Sequence, residues 1–193
     1  MGSACPKTAF TAQNHAKPTT HNKFVALACT YSQVGELESV QVADYGTAIA
    51  GNSGKATAGE SGFAKVGDRG KAQAGDFGTA CAGEFARAIA GDCGVAIALD
   101  CGRALAGTVG IATAGDYGTA CVGDRGTASA GVGGVVIAGV EGEIRIRYRD
   151  NQAERFRTAI GYIGEDGLEP NTPYSLNDKY AFVRVSLVVG ESQ

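Results

Sequence analysis

The sequence predicts an all-β protein, a two-sheet β-solenoid with about 16 residues in each coil. Three observations support this prediction. From about Ala43 to Gly142 the chain repeats an eight-residue unit, G-[D/E/N]-x-G-x-A-x-A, and a short fixed period indicates a repeat architecture. The two glycines of the unit alternate at spacings of three and five residues. Basic residues recur every sixteen residues, at Lys55, Lys71, Arg87 and Arg103.

The repeat excludes two other glycine- or alanine-rich structures. In an α-helix each glycine would cost about 1 kcal/mol relative to alanine, and a period of eight never returns to one helical face. A collagen helix needs glycine at every third position. The unit therefore fits a short strand, x-A-x-A, followed by a four-residue corner, G-[D/E/N]-x-G.

Side chains alternate between the two faces of a strand, so the alanines of each unit should point inward and the variable residues outward. Glycine, alanine and aspartate are poor strand formers, so the strands must be stabilised by pairing with copies in neighbouring coils, roughly 4.8 Å away. At the corners we expect glycine to adopt positive φ angles. We expect the Asp or Glu side chain to accept hydrogen bonds from amides of its own turn.

The outward positions show that two units make one coil. Lys55, Lys71, Arg87 and Arg103 occupy alternate units and should stack on one sheet; we call them the basic ladder. The opposite sheet should expose an apolar row, defined as Phe63, Val95, Ile97 and Ile111, together with Cys81.

Three segments follow from these patterns. Residues 1–42 are predicted to be an N-terminal cap with one strand signal at 23–29, and residues 43–142 form the solenoid. Residues 143–193 are predicted to be a small antiparallel β cap, which would cover the unpaired strand edges of the last coil. Its strands are expected at 143–149, 156–163 and 180–189, the last two joined by a loop over 164–173.

Composition limits the class of protein. A net charge of -3 and 44% hydrophobic residues are typical of a globular chain. No apolar run approaches the roughly 18 residues of a membrane span, and the first residues lack a signal-peptide core. Six scattered cysteines do not form a disulfide framework, so we predict a cytoplasmic, reduced protein without membrane contact.

Candidate metal and catalytic residues are few. Cys5, His15, His21 and Cys29 are ligand types that zinc accepts, but their spacing matches no compact finger, so a structural zinc site and a simply packed segment both remain open. Cys81 and Cys121 would each need a nearby base to act as nucleophiles, and the repeat contains no histidine. We predict no catalytic residue, no cofactor and no enzymatic activity.

The carboxylates of the repeat all occupy the same corner slot, which favours a role in the turns over a calcium ladder or an acid and base pair. The basic ladder has two interpretations, since stacked like charges destabilise a sheet unless something compensates. The four side chains either splay into solvent and pair with the acidic corners, or they bind an acidic partner surface or a phosphate backbone. In the second case Arg145, Arg147, Arg149, Arg155 and Arg157 would extend the positive area.

The segments G-D-Y-G-T-A at 115–120 and D-Y-G-T-A at 44–48 resemble the Gly/Ala-rich octapeptide-repeat proteins of bacteria and their phages. The sixteen-residue double unit is similar to the coil of bacterial ice-nucleation proteins. The resemblance covers about half of the chain and implies a β-solenoid, but its repeat has no catalytic residue to transfer.

We therefore expect a non-enzymatic interaction protein with a protein partner, specifically a phage-encoded inhibitor of a host nucleic-acid enzyme or defence system. Small rigid solenoids of this kind are similar in principle to pentapeptide-repeat proteins that occupy the nucleic-acid site of an enzyme. The apolar row predicts a homodimer or partner interface. Balanced charge argues against avid nonspecific nucleic-acid binding and leaves direct binding open. The alternative is an ice-binding or structural repeat protein, although the outward positions form no Thr-x-Thr surface.

Overall fold

The computed structural model describes residues 23–26 and 31–186, which form 19 strands and no helix. The strands are β1 Lys23–Ala26, β2 Tyr31–Gln33, β3 Ser39–Val42, β4 Thr47–Ala50, β5 Lys55–Thr57, β6 Phe63–Val66, β7 Lys71–Gln73, β8 Thr79–Ala82, β9 Arg87–Ile89, β10 Val95–Ala98, β11 Arg103–Ala106, β12 Ile111–Ala114, β13 Thr119–Val122, β14 Thr127–Ala130, β15 Val135–Ile137, β16 Glu143–Asp150, β17 Arg155–Tyr162, β18 Tyr174–Leu176 and β19 Phe182–Arg184.

Successive strands alternate between two sheets, as the repeat predicts. Sheet A has the order β1-β3-β5-β7-β9-β11-β13-β15-β18-β19, and sheet B has the order β17-β16-β14-β12-β10-β8-β6-β4-β2. Within the solenoid each strand pairs in parallel with the strand sixteen residues away, for example Val95 with Ile111 and with Thr79. The result is a β-solenoid of about seven coils with about 16 residues per coil, which confirms the predicted fold class.

The sixteen-residue register begins before the recognisable repeat. Lys23 of β1 pairs with Ser39 of β3, and Ser39 pairs with Lys55 of β5, all in parallel. The strand predicted at 23–29 corresponds to β1, of which residues 23–26 are described. The sequence repeat fades here because β3 places Val40 and Val42 at the buried positions that alanine occupies later.

Alanine fills the interior because the two sheets lie too close for larger side chains. The alanine in the middle of each short strand is fully buried, as at Ala96. The largest fully buried side chains are Val40 near one end of the solenoid and Val136, Ile144 and Ile146 near the other. The core is therefore lined mainly by alanine along the repeat, with Val66 and Val122 buried at strand ends, and it holds larger side chains towards both ends, where the sequence pattern also changes.

The corners contradict the expectation that glycine supplies the positive φ angles. The left-handed residue is instead the one before the second glycine, such as Tyr45 (φ 58), Phe77 (φ 55) and Val109 (φ 57). Close packing favours the second glycine, although Ala86 takes this slot at one corner. A Cβ on Gly94 would lie 2.8 Å from the Cβ of Ala90 and 2.9 Å from the carbonyl oxygen of Gly91.

Val109→Gly is therefore expected to stabilise the fold by roughly 0.5–1 kcal/mol, because a β-branched residue is strained in the left-handed region. Gly133 occupies the equivalent corner slot with φ 68. Chemical denaturation would measure the change. The matched control, Val95→Gly in strand β10, should destabilise the protein. A lower free energy of unfolding for Val109→Gly would contradict this account of the corner.

The corner carboxylates bond to the next coil and not to their own turn, which corrects the second expectation. Oδ1 of Asp76 accepts a hydrogen bond from the backbone N–H of Asp92 at 2.9 Å, and Asp92 accepts one from Thr108 at 2.8 Å. The same bond is made by Asp44, Asn52, Asp68, Asp100, Asp116 and Asp124. Glu60 and Glu84 make no such bond within the described part of the chain. These coil-to-coil bonds link every corner that carries Asp or Asn to the equivalent corner sixteen residues later.

An antiparallel hairpin and a second strand pair close the C-terminal end. The first half of β16 pairs with β14 as the last parallel rung of sheet B, and β17 pairs antiparallel with the whole of β16. The hairpin extends beyond Ile146, the last residue of β16 that pairs with β14. In this extension the ring of Tyr148 stacks on the ring of Tyr180, with 4.1 Å between their centroids. β18 and β19 add antiparallel strands to sheet A.

The predicted C-terminal strands are confirmed in part. The strand expected at 156–163 is β17, one residue earlier at each end. Within the range 180–189, residues 182–184 form β19, and residues 187–189 lie outside the description. β18 was missed because three residues after Pro173 are too few to show alternation. No helix of the described residues is long and apolar enough to cross a membrane.

Candidate interaction surfaces on the two sheets

The basic ladder lies on the outer face of sheet A, as the sixteen-residue spacing predicts. Lys55 pairs with Lys71, Lys71 with Arg87, and Arg87 with Arg103 in successive parallel strands. Three of these residues are exposed and Lys71 is half-buried. Neighbouring strands in a sheet are roughly 4.8 Å apart, so four positive side chains project from adjacent rungs in one direction.

None of the four cations forms an ion pair within residues 31–186. The ion pairs of this part of the chain are Arg145 with Glu143 (2.7 Å), Arg147 with Asp116 (3.4 Å), Arg157 with Asp150 (2.7 Å) and Arg184 with Glu169. The first interpretation combined splaying into solvent with ion pairs to the acidic corners; no such ion pair forms in the described residues, whereas the exposure of Lys55, Arg87 and Arg103 agrees with splaying into solvent. No carboxylate of the described residues lies within 4.0 Å of a ladder cation.

Rows of carboxylates run along both long edges of sheet A. One row, at the corners that lead from sheet A to sheet B, contains Asp44, Glu60, Asp76, Asp92 and Asp124. The other, at the corners that lead into sheet A, contains Asp68, Glu84, Asp100 and Asp116. The ladder is thus a narrow positive stripe between two corner rows in which the carboxylates outnumber two exposed arginines, Arg69 and Arg125.

A column of apolar side chains lies beside the ladder. The third residue of successive sheet A strands is Ile89, Leu105, Cys121 and Ile137, which pair in register and are half-buried. The sequence signal for this column is an apolar residue at every sixteenth position from Ile89 to Ile137. The outer face of sheet A therefore combines cations in one column with aliphatic groups in the next.

The apolar row lies on the outer face of sheet B, opposite the ladder. Val95 pairs with Ile111, and Ile97 lies two residues along the same strand. Phe63 is separated from Val95 by the intervening rung of Thr79. Ile97 and Ile111 are 36% and 46% exposed, so the row is an open surface of the described protein.

The arginines of β16 do not extend the basic ladder, which corrects that expectation. Arg145, Arg147 and Arg149 project from sheet B, whereas the ladder belongs to sheet A. A hydrogen bond to Glu143 raises the pKa of Arg145. The guanidinium carbons of Arg147 and Arg149 lie 4.7 and 5.4 Å from the centre of the Phe156 ring, a cation and π arrangement.

Arg155 and Arg157 are also separate from the ladder. They lie on β17, the edge strand of sheet B, and alternate with Phe156 so that they occupy the opposite face of the hairpin from Arg147 and Arg149. The Arg157 guanidinium contacts Asp150, whose pKa is held below its ordinary value by the backbone amide of Ala153 and then by other groups that include Arg157.

The half-buried thiols of Cys81 and Cys121 have no activating environment in the described residues. Burial raises the pKa of the Cys81 thiol, and the opposing charge of Lys65 is the smaller influence. Burial likewise raises the pKa of Cys121 beside Arg103. Both thiols remain protonated at neutral pH and are poor nucleophiles.

No group of three or more potential metal ligands occurs among the described residues. The zinc hypothesis concerns Cys5, His15, His21 and Cys29, which lie outside them. The ice-binding alternative requires adjacent outward threonines, but the outward pairs of the solenoid include Thr119 with Cys121 and Ile111 with Thr113. These pairs do not form a flat threonine surface.

Comparison with known proteins adds no relative. A scan against protein-family models found no match, and searches of curated proteins and of solved structures found none either.

Proposed function

We propose that this protein is a non-enzymatic interaction protein that binds an acidic surface of a protein partner through the basic ladder. The observation that supports the proposal is the run of four cations on consecutive rungs of sheet A, without ion pairs in the described residues. Stacked like charges are unfavourable in a sheet, and a partner with carboxylates would relieve that repulsion.

The surroundings of the ladder favour a protein over a nucleic acid. A polynucleotide carries negative charge along its whole backbone, and the two carboxylate rows beside sheet A would repel it. A protein surface can place a narrow acidic strip against the ladder and aliphatic side chains against Ile89 and Leu105. A mixed surface of this kind is typical of protein interfaces, where charge contributes specificity and apolar contacts contribute affinity.

Within this class, our specific candidate is an inhibitor of a host nucleic-acid enzyme or defence system, encoded by a phage. Such enzymes have positively charged nucleic-acid sites, so the ladder would not enter the site itself. The ladder would bind an acidic surface beside it, and one of the carboxylate rows would face the site. In this candidate the basic ladder contacts an acidic surface of the enzyme, and a carboxylate row contacts its positively charged nucleic-acid site.

Reversal of the ladder tests the proposal. The variant Lys71→Glu, Arg87→Glu and Arg103→Glu is expected to abolish capture of the partner from lysate of the native host, and binding by the wild-type chain should weaken steeply towards about 0.5 M salt. The fold should be retained, because exposed charges contribute little to stability. Affinity would then be measured by calorimetry with the purified partner.

A matched control changes the same number of charges elsewhere. Lys65→Glu, Arg69→Glu and Arg125→Glu alters exposed residues of sheet B and the corners and should leave the affinity nearly unchanged. Glu141 already occupies a corner slot equivalent to Arg69 and Arg125, so the control is compatible with the backbone. Equal loss of binding in both variants, or binding that resists both the ladder reversal and high salt, would contradict the proposal.

A further inference from the structure

The outer face of sheet B becomes basic at its C-terminal end. Strand β16 places Arg145, Arg147 and Arg149 on this face at alternate positions, which are roughly 6.8 Å apart along a strand. All three arginines are exposed. β18 and β19 belong to sheet A, and Tyr180 stacks on Tyr148 at the other face of the hairpin. The C-terminal cap therefore leaves the three arginines uncovered within the described residues.

Strand β17 places two aromatic rings on the same face, beside the arginines. The residues that pair with Arg149, Arg147 and Arg145 are, in this order, Phe156, Thr158 and Ile160, and Tyr162 is the next outward residue of β17. Phe156 and Tyr162 are 53% and 52% exposed. Cross-strand neighbours on one face of a sheet contact each other. A row of cations thus lies beside a second row that has an aromatic ring at each end.

Two of the arginines already contact one of the rings. The guanidinium carbons of Arg147 and Arg149 lie 4.7 and 5.4 Å from the centre of the Phe156 ring. Arg149 makes no ion pair within residues 31–186, and Arg147 reaches Asp116 only at 3.4 Å. Exposed ion pairs of this kind contribute little. An anionic ligand that stacked on Phe156 would therefore have two available cations within reach.

The carboxylate rows that run along the corners end before this surface. Sixteen residues after Asp116 and Asp124, the same corner slots hold Val132 and Val140. The described carboxylates that remain around the surface are Asp116, Glu141, Glu143, Asp150 and Glu154, and all of them except Glu141 and Glu154 form ion pairs with arginines. The surface therefore lacks the continuous acidic border that lies beside the basic ladder.

We propose that this surface binds a single-stranded nucleic acid, with phosphates at Arg145, Arg147 and Arg149 and bases stacked on Phe156 and Tyr162. Proteins that bind single strands combine cations along the phosphate backbone with aromatic side chains on which bases stack. In a duplex the bases stack on each other and do not reach the rings. The exposed ring at each end of the row favours bases over the carboxylates of an acidic protein. The site is separate from the ladder and does not depend on the function proposed for it.

Fluorescence anisotropy of the full chain with a labelled oligodeoxythymidine tests the proposal. A probe of about 12 nucleotides is suitable, since one such surface covers roughly 4–16 nucleotides. We expect a dissociation constant between about 1 and 100 µM, as in other nonspecific complexes. Three phosphate contacts predict that log K falls with log salt concentration at a slope of about −2. A duplex of the same length should bind at least about tenfold more weakly, because its bases cannot stack on the rings.

A pair of charge variants locates the cations that bind the probe. Arg147→Gln with Arg149→Gln should weaken binding at least about tenfold and reduce the slope to about −0.7, the value for one remaining phosphate contact. Arg87→Gln with Arg103→Gln is the matched control, since it removes two exposed cations from the ladder on sheet A. The control should change the affinity by less than about twofold, because exposed charges on the opposite sheet are largely screened.

Variants of the rings test stacking. Phe156→Leu should weaken binding at least about fivefold, because it removes the ring on which a base stacks. Phe156→Tyr keeps a ring at this position and should bind as the wild-type chain does. Tyr162→Leu, at the other end of the row, should show a similar loss and replaces Phe156→Leu as the test if that variant fails to fold. Circular dichroism of each variant would show whether the fold is retained.

Five results would overturn the proposal. The first is no binding at about 100 µM protein in low salt, the weak limit of nonspecific complexes. The second is an equal loss in the two charge variants, and the third is a duplex that binds as tightly as the single strand. The fourth is wild-type affinity in folded Phe156→Leu and Tyr162→Leu. The fifth is displacement of the probe by an oligoglutamate of equal charge at equal concentration, which would indicate an acidic protein as the partner.

Discussion

Replacement of Ala96 by Leu is expected to lower the free energy of unfolding by at least 1 to 3 kcal/mol. Ala96 is fully buried in the middle of β10 and pairs on both sides with the alanines of β8 and β12. The larger side chain would have to push apart two sheets that are joined by continuous backbone on both sides. Urea denaturation, followed by circular dichroism at the strand minimum, would measure the loss.

Ala98→Val provides the matched control in the same strand. Val66 occupies the equivalent position two coils earlier, where it is 3% exposed. The solenoid therefore has room for a branched side chain at the end of a strand, and the cost should stay below about 1.5 kcal/mol. If Ala96→Leu were as stable as the wild-type chain, the close spacing of the sheets at this position would be wrong.

Gly91→Ala is expected to cost about 3 kcal/mol, the other large effect. A Cβ at this position would overlap Oδ1 of Asp76 and lie 2.7 Å from the Asp76 backbone nitrogen. The methyl group would displace the carboxylate from the N–H of Asp92, and a hydrogen bond to a charged group contributes about 1.5–3 kcal/mol. Thermal and urea unfolding of the single variant would show the loss directly.

Two companion variants separate the carboxylate from the backbone. In Asp76→Ala the acceptor is already absent, so adding Gly91→Ala should cost at least 1 kcal/mol less than it does in the wild-type chain. Gly75 lies over Glu60, which makes no coil-to-coil bond, and a Cβ on Gly75 would be 2.9 Å from the Glu60 backbone nitrogen. Gly75→Ala should therefore lower the free energy of unfolding by less than Gly91→Ala does. Equal losses for Gly75→Ala and Gly91→Ala, with additive energies in the double variant, would contradict a role for the coil-to-coil bond of Asp76.

The spacing of the basic residues predicted the coil length because the periods of sequence and structure coincide. Lys55, Lys71 and Arg87 recur every sixteen residues, and parallel pairing in register places each of them beside the next one in the neighbouring strand. The same alternation correctly predicted which residues face outward. For the candidate surfaces, the positions of the ladder and of the apolar row were therefore predictable before the structure.

The sequence predicted where the corners lie, but not which hydrogen bonds and backbone angles form them. The sequence marks Asp76 and Gly91 as corner residues, but they contact each other only through the neighbouring coil, fifteen residues away. The glycine and the aspartate are both needed because the carboxylate reaches over the glycine to the next amide. Local turn chemistry could not show this, and it assigned the positive φ angle to the wrong residue.

By itself the sequence determined the all-β class, the sixteen-residue coil, the alanine interior and the two outward surfaces, because each depends on a period that the chain repeats. Only the tertiary structure decided what lies where the period stops. It placed Arg145, Arg147 and Arg149 on sheet B, away from the ladder, and made β17 the terminal strand of that sheet among the described residues. Those outcomes depend on which sheet β16 joins and on which strand pairs with it next. Both are set by pairing between residues that are far apart in the sequence.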